Sequence, residues 1–275
     1  MKLRLRIASA ALAVVFNPPA FCETLPDIVL LGDDARIEVM TQCSQPCRSG
    51  PNTLAAAPLG SSAAAVASLT QRAKHALIVV DATQGPLPIT REHIQIARQA
   101  GVPSVSVLFV KVKQVNDAEL LELEKLELRD LLNTYEMGGD AAAVFYDANL
   151  DSVEPMKNVE GLASALTALK NIPARPAPPT PMIQGRNLRT YIYLLTPQES
   201  MQTLKLEKGA PVRLWVNGQV ERGNVRSAIA INPGENGELS IHLDGPVSAA
   251  VGSRFFLERE GHPIAMGVVQ NVEAR

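Results

Sequence analysis

Aromatic residues make up only 4% of this chain of 275 residues. So few flat side chains leave no stacking platform for bases. The net charge of −2 marks no surface for phosphate backbones either, so no nucleic acid partner is expected. Cysteine is limited to Cys22, Cys43 and Cys47. Only the last two are close together, and a metal would need two more ligands there with no histidine nearby. The histidines, His75, His93, His242 and His262, show no metal-ligand spacing, so neither metal nor cofactor is expected. No Gly-x-Ser-x-Gly elbow is present, which removes one common route to a nucleophilic serine. Beyond the N-terminus no apolar run is long enough to span a membrane.

The length suits two domains. The first segment has the pattern of a secretory signal: Lys2, Arg4 and Arg6, then apolar Ile7–Phe16, then Pro18-Pro19 and Ala20-Phe21-Cys22. Met1–Cys22 is therefore expected to be removed on the way to the periplasm or the medium. The other readings are a buried strand or a short membrane anchor. Phe21 before Cys22 argues against lipoprotein processing. Cleavage after Cys22 leaves Cys43 and Cys47 in C-S-Q-P-C, where an oxidising compartment would favour a disulfide. Two unpaired thiols are the alternative.

Residues 23–172 read as alternating strand and helix, hence a parallel sheet covered by helices. Asp27–Gly32 and Arg36–Gln42 read as strands, and Ser44–Pro58 as loop. Ser61–Lys74 is Ala-rich and helical. Ala76–Val80 is apolar throughout, as a strand buried on both faces should be, and Val105–Val110 is a second buried strand. Between them Thr90 is expected to cap a short helix that Gly101 closes. A longer helix follows. Leu120, Leu121, Leu128, Leu131, Leu132 and Tyr135 lie on one stripe, Asn116 and Glu119 form a capping box, and Glu124 falls inside the stripe. Ala141–Tyr146 is a further buried strand, and Val159–Leu169 a helix.

Residues 173–185 are a linker, stiffened by PARPAPPTP at Pro173–Pro181. In 186–275 short β-rich runs take over: Thr190–Leu195, Pro211–Val216, Glu238–Leu243, Arg254–Glu258 and Ala265–Val272. Asn217-Gly218, Glu235-Asn236-Gly237 and Glu260-Gly261 supply turns. The expected fold is thus an α/β parallel-sheet unit followed by a small all-β barrel. Arg213, Trp215 and Arg254 are candidates for an interaction surface on that barrel, or Trp215 simply fills its core.

Three stretches, ALIVVDATQGPLPITREHI, RQAGVP and DAELLELEKLELRDLL, closely resemble the G domain of elongation factor Tu. YIYLL, KGAPVRLWV, NPGENGELSIHLDGPV and GSRFFLEREGHPIAMGVVQNV resemble its last barrel. The resemblance implies a G-domain scaffold and a GTPase ancestry, without the middle barrel of that family. Its nucleotide motifs are altered at each matching position. The phosphate loop is replaced by Gly32-Asp33-Asp34, whose carboxylates repel phosphate. The Asp-Cys-Pro-Gly-His segment falls near Ala55–Gly60, with Pro58 and Gly60 kept. Asn-Lys-x-Asp becomes Val110-Lys111-Val112-Lys113, where Lys113 puts a cation against the guanine N–H groups. Ser-Ala-Leu falls at Tyr146–Asn149, with Ala148 kept. Phosphoryl transfer depends on these groups. The expectation is therefore no enzyme, no catalytic residue and no bound nucleotide, but an exported protein-binding or assembly module with a protein partner the sequence does not name. A divergent cytoplasmic GTPase and a decaying fragment are the alternatives. His93, in TREH, is expected to be structural.

Overall fold

In a computed structural model of the chain, the described residues are 26–42, 53–146, Leu162, Ala165, Leu166, Leu169, Ala177, 180–200, 202, 205–227 and 229–273. Met1–Cys22, Cys43, Cys47, Ala148 and most of Pro173–Pro181 lie outside them. A parallel sheet is built from β1 (Ile28–Gly32), β2 (Leu54–Ala56), β3 (His75–Asp81), β4 (Val105–Val110) and β5 (Ala143–Tyr146), in the order β2-β1-β3-β4-β5. β1 and β3 are buried along their whole lengths, which explains the apolar runs of Ile28–Leu31 and Ala76–Val80.

Helix α1 (Ala35–Gln42) lies on one face of this sheet. Leu162 and Ala165 pack on that same face. Helices α2 (Ala63–Thr70), α3 (Pro88–Ala100) and α4 (Ala118–Thr134) cover the other. The first two connections thus pass on opposite sides, so the strand order reverses between β1 and β3. That is where open α/β sheets place their ligands, beyond the carboxyl ends of the strands.

Several local expectations are corrected. Arg36–Gln42 is helix, not strand. Ile37 and Val39 alternate like a strand, but Ala35 and Val39, four apart, are the buried pair, and Asp33 caps the turn with its side chain on the Ala35 N–H. The segment expected as loop up to Pro58 contains β2, which pairs parallel with β1. Thr90 caps nothing: Leu87 is the N-cap, Pro88 opens α3, and the buried Thr90 hydroxyl has no hydrogen-bond partner. Proline at the first helical position needs no capping of its own N–H. Gly101 does close α3, at φ 66°. Asp117 rather than Asn116 caps α4, accepting from the N–H groups of Glu119 (2.9 Å) and Leu120 (3.2 Å). Ala143–Tyr146 is an edge strand, partly exposed.

The second unit is a closed barrel with the order β10-β11-β6-β9-β8-β7. Its strands are β6 (Ile183–Leu194), β7 (Pro211–Val216), β8 (Gln219–Val225), β9 (Asn236–Ala249), β10 (Arg254–Arg259) and β11 (His262–Glu273). Closure removes free edges. β6 begins at Ile183, inside the stretch expected as linker. The strand that sequence reading omits is β8, QVERGNV, whose inward positions are too polar to stand out.

The two units share a core. Leu195, Trp215, Phe256 and Met266 of the barrel belong to the same buried cluster as α2, α3, α4 and the sheet face beneath them. A four-residue helix, α5 (Pro197–Ser200), packs on α3.

Candidate functional site at the carboxyl edge of the sheet

The chain leaves β1 through Gly32, whose φ of +102° only glycine adopts freely. A Cβ there would stand 2.0 Å from the carbonyl oxygen of Val79 on β3. The Gly32 N–H donates to His93 Nδ1 at 3.0 Å. Burial drives the His93 pKa down to about 3, with the nearby Arg36 adding to the effect. His93 is therefore neutral and accepts at Nδ1, a structural role that fixes α3 to the β1 exit.

Asp33 follows, 2% exposed. Its carboxylate accepts from the backbone N–H of Ala35 at 2.9 Å and from that of Asp81 at 2.7 Å. Burial raises its pKa against the pull of these bonds, and the neighbouring Asp81 and Asp34 raise it further. An anion from the chain itself thus takes the donors at the start of α1, where a helix otherwise attracts phosphate. Asp34 points to solvent, 78% exposed, with a weak contact to Arg36 at 3.3 Å. The Arg36 guanidinium turns back to the carbonyls of Gly32 and Asp33.

Asp81 closes β3 at the other side of the crevice. Burial would raise its pKa, but hydrogen bonds from Lys111 and Thr83 outweigh burial and hold it low. Lys111 Nζ lies 2.8 Å from Asp81 and 3.4 Å from Glu38 of α1, so the cation that aligns with the family lysine is neutralised by this chain's own carboxylates. Lys111 itself sits at φ +58°, and Lys113 lies on the exposed 3-10 turn Val112–Gln114. Pro58 and Gly60 lie together in the exposed turn after β2. The structure therefore brings Asp33, Asp34 and Lys111 to one crevice and leaves Lys113, Pro58 and Gly60 at its margins. The sequence reading missed Glu38, which meets Lys111 from α1; Glu124, noted there for its place inside an apolar stripe, faces Gly85 in the turn after Asp81.

Arg213, Trp215 and Arg254 form a different place. Trp215 is 1% exposed, stacks on Phe256 at 5.3 Å and donates from Nε1 to Ser68 Oγ of α2 at 3.2 Å. Arg254 donates to the Arg98 carbonyl of α3 at 3.0 Å. Arg213 is ion-paired with Glu258, whose other oxygen accepts the Ala64 N–H at 2.8 Å. The Gly261 carbonyl accepts the Ala63 N–H at 2.6 Å. The barrel thus caps α2 across the domain boundary. This face packs on α2 and α3 of the same chain, with the Arg213 side chain still 45% exposed, and Trp215 fills an interdomain core rather than the barrel interior.

A cleft of about 320 Å³ lies between the loop before α3, α4 and α5, lined by Pro86, Leu87, Arg91, Glu127, Asp130 and Gln198 among others. Among the described residues no three of His, Cys, Asp or Glu converge on one metal position. No helix among them is long and apolar enough to cross a membrane.

A parallel sheet covered by helices and docked on a closed barrel is a G-domain-like α/β unit followed by a β-barrel. Residues 63–178 match the family model of the elongation factor Tu GTP binding domain, so this part of the chain is similar to the GTP binding domain of the translational GTPases. This match corrects the expectation that the chain is no enzyme: the matched region is the GTP binding domain of a GTPase family. That expectation rested on short loop motifs, whereas the match runs from Ala63 to residue 178.

Proposed function

We propose that this elongation factor Tu-like chain is an exported protein-binding or assembly module whose guanine-nucleotide site is weakened. The observation that carries the reading is the Asp33 carboxylate, which accepts the Ala35 and Asp81 N–H groups that an incoming phosphate would need. The pairing of Lys111 with Asp81 and Glu38 supports it, because phosphate would have to displace a bound carboxylate to reach that cation. A fused two-unit scaffold with a single interdomain core offers a rigid platform, which suits binding to another protein.

Titrating a fluorescent GTP analogue into the pure chain tests the nucleotide part. We expect no saturation at micromolar concentrations, and saturable micromolar binding with GTP preferred over ATP would sink it. The second reading, a divergent GTPase, is favoured by the family match and gains from that same result. Export is tested by mass spectrometry of cell fractions. The reading expects a mature N-terminus near Glu23 and no free thiol at Cys43 or Cys47, whereas a full-length cytoplasmic species retaining Lys2–Arg6 refutes it. Affinity purification from the periplasmic fraction tests the partner: a stoichiometric protein is expected, and a chain that elutes alone argues against a binding module.

A further inference from the structure

The cleft beside α5 is built by both units. Leu87 and Arg91 at the start of α3, Glu127, Asp130 and Leu131 of α4, and Gln198 of α5 line it. Its volume of about 320 Å³ lies at the small end of ligand pockets, which favour the junctions between domains. The surrounding elements are tied together without any ligand. The Gln95 amide donates to the Tyr135 hydroxyl at 2.8 Å, and that hydroxyl donates to Glu199 at 3.3 Å. Glu199 also accepts from the Tyr193 hydroxyl at 2.8 Å and from the Thr196 N–H and hydroxyl at 2.9 Å. Gln95 lies one turn after Arg91, and Glu199 follows Gln198, so this network fixes α3 and α5 on either side of the cleft. A cleft held in shape this way costs little ordering to fill.

Three charged side chains converge on it. Glu127 and Asp130 are three apart on α4 and therefore neighbours on one face, while Arg91 comes from α3. Among the described residues none of the three is ion-paired, and Arg91 makes only a long bond to the Gln198 carbonyl, at 3.4 Å. Two carboxylates repel a phosphate, and the guanidinium repels a simple cation. A dipolar ligand satisfies all three, and two carboxylates to one guanidinium call for two cationic groups to one anionic group. Leu87 and Leu131 add apolar surface for a methylene chain between those groups. We propose that the cleft binds a free basic α-amino acid of the lysine class. Its carboxylate meets Arg91, its two ammonium groups meet Glu127 and Asp130, and its stem lies along the leucines. This goes beyond the protein-binding reading and does not depend on the nucleotide site.

L-Lysine titrated calorimetrically into the full chain at physiological ionic strength tests it. We expect saturable binding of one lysine per chain. Arg91→Gln and Asp130→Asn should each weaken it roughly tenfold, as loss of a charge-assisted hydrogen bond does, and a circular dichroism melt checks that each variant folds. Acetylation of the α-amino group, or lysinamide in place of the acid, should weaken binding to the parent chain by a similar factor, a comparison that needs no variant. Glu122→Gln, on the same helix but outside the cleft lining, should bind as the parent does. No saturable heat from lysine overturns the proposal. Equal affinity in Arg91→Gln and Asp130→Asn overturns it, as does equal affinity for the two blocked ligands. A loss in Glu122→Gln as large as in Asp130→Asn overturns it in favour of diffuse attraction to an acidic helix. A peptide ending in lysine that saturates while free lysine is silent overturns it in favour of a chain terminus.

Discussion

Replacing Trp215 tests whether the two units are one folding body. Its indole is 1% exposed, stacked on Phe256 at 5.3 Å and 15°, and hydrogen-bonded to Ser68 of α2. Trp215→Ala removes the whole ring from a cluster that includes Val66, Ala67 and Met266. Large-to-small changes of this kind cost about 3–5 kcal/mol. Trp215→Phe keeps most of the packing and loses the bond to Ser68, for about 1 kcal/mol plus a smaller cavity. Urea unfolding followed by circular dichroism gives both values, and limited proteolysis gives a second probe. The shared core predicts one cooperative transition in the parent chain. It also predicts that Trp215→Ala destabilises α2 and α3 as much as the barrel strands. Two transitions in the parent, with the α/β transition unmoved by Trp215→Ala, would refute the shared core and leave the units merely adjacent.

Gly32→Ala should be severely destabilising, by about 3 kcal/mol or more, because the new Cβ meets the Val79 carbonyl at 2.0 Å in a left-handed backbone; a melt within a few degrees of the parent would show that the β1 exit is misplaced. Asp117→Ala should cost about 1 kcal/mol and Asn116→Ala almost nothing, since the former caps α4; equal losses in chemical denaturation would restore the other residue as the cap. Acid should destabilise the chain below about pH 6.5. Burial lowers the pKa of His75 to about 4 and of His93 to about 3, so the unfolded state binds the extra protons, and stability falls as pH falls from the unfolded value towards the folded ones, by roughly 1 kcal/mol per pH unit for each histidine. Urea midpoints at pH 7 and pH 5 measure this, and a His93→Gln variant with the same pH slope as the parent would exclude His93 as a cause.

The central strands were legible because little competes with a strongly apolar run: Ala76–Val80 and Val105–Val110 needed no context. Alternation misled where a helix was short. Ile37 and Val39 read as strand because both are β-branched, but the carboxylate at Asp33 sits ahead of them as a cap, and capping decides an eight-residue helix more than propensity does. β8 was hidden for the opposite reason, since only tertiary pairing with β7 and β9 makes QVERGNV a strand. The carboxyl-edge crevice was half legible. Asp33 and Asp34 stood out by departing from the family motifs, and Lys111 by keeping the family's lysine. Glu38 did not, because its importance lies in a contact with Lys111 that joins separate elements. The role of Trp215 was beyond sequence reasoning: strand alternation places it on a face, and only the docking of α2 says what covers that face.

The scaffold and the loops of this α/β unit answer to different constraints. Strand cores such as Ile78 and Leu108, fully buried, fix the sheet through packing, where a change of even one methylene is felt. The turns at the carboxyl edge carry little of that packing, so their charges can change without loss of the fold. Asp33 and Lys111 nonetheless fit their surroundings. Asp33 supplies an anion to the donors at the start of α1 and the end of β3, and Asp81 with Glu38 supplies carboxylates to Lys111. Loops altered without regard to one another would be expected to leave donors unsatisfied at a buried edge, which costs about 1–3 kcal/mol for each group. Most of this edge is instead completed from within, with Arg36 Nε and Glu124 Oε2 the buried polar atoms left without a partner. An edge so largely satisfied by the chain's own groups is better explained by residues that fit one another than by loops altered independently.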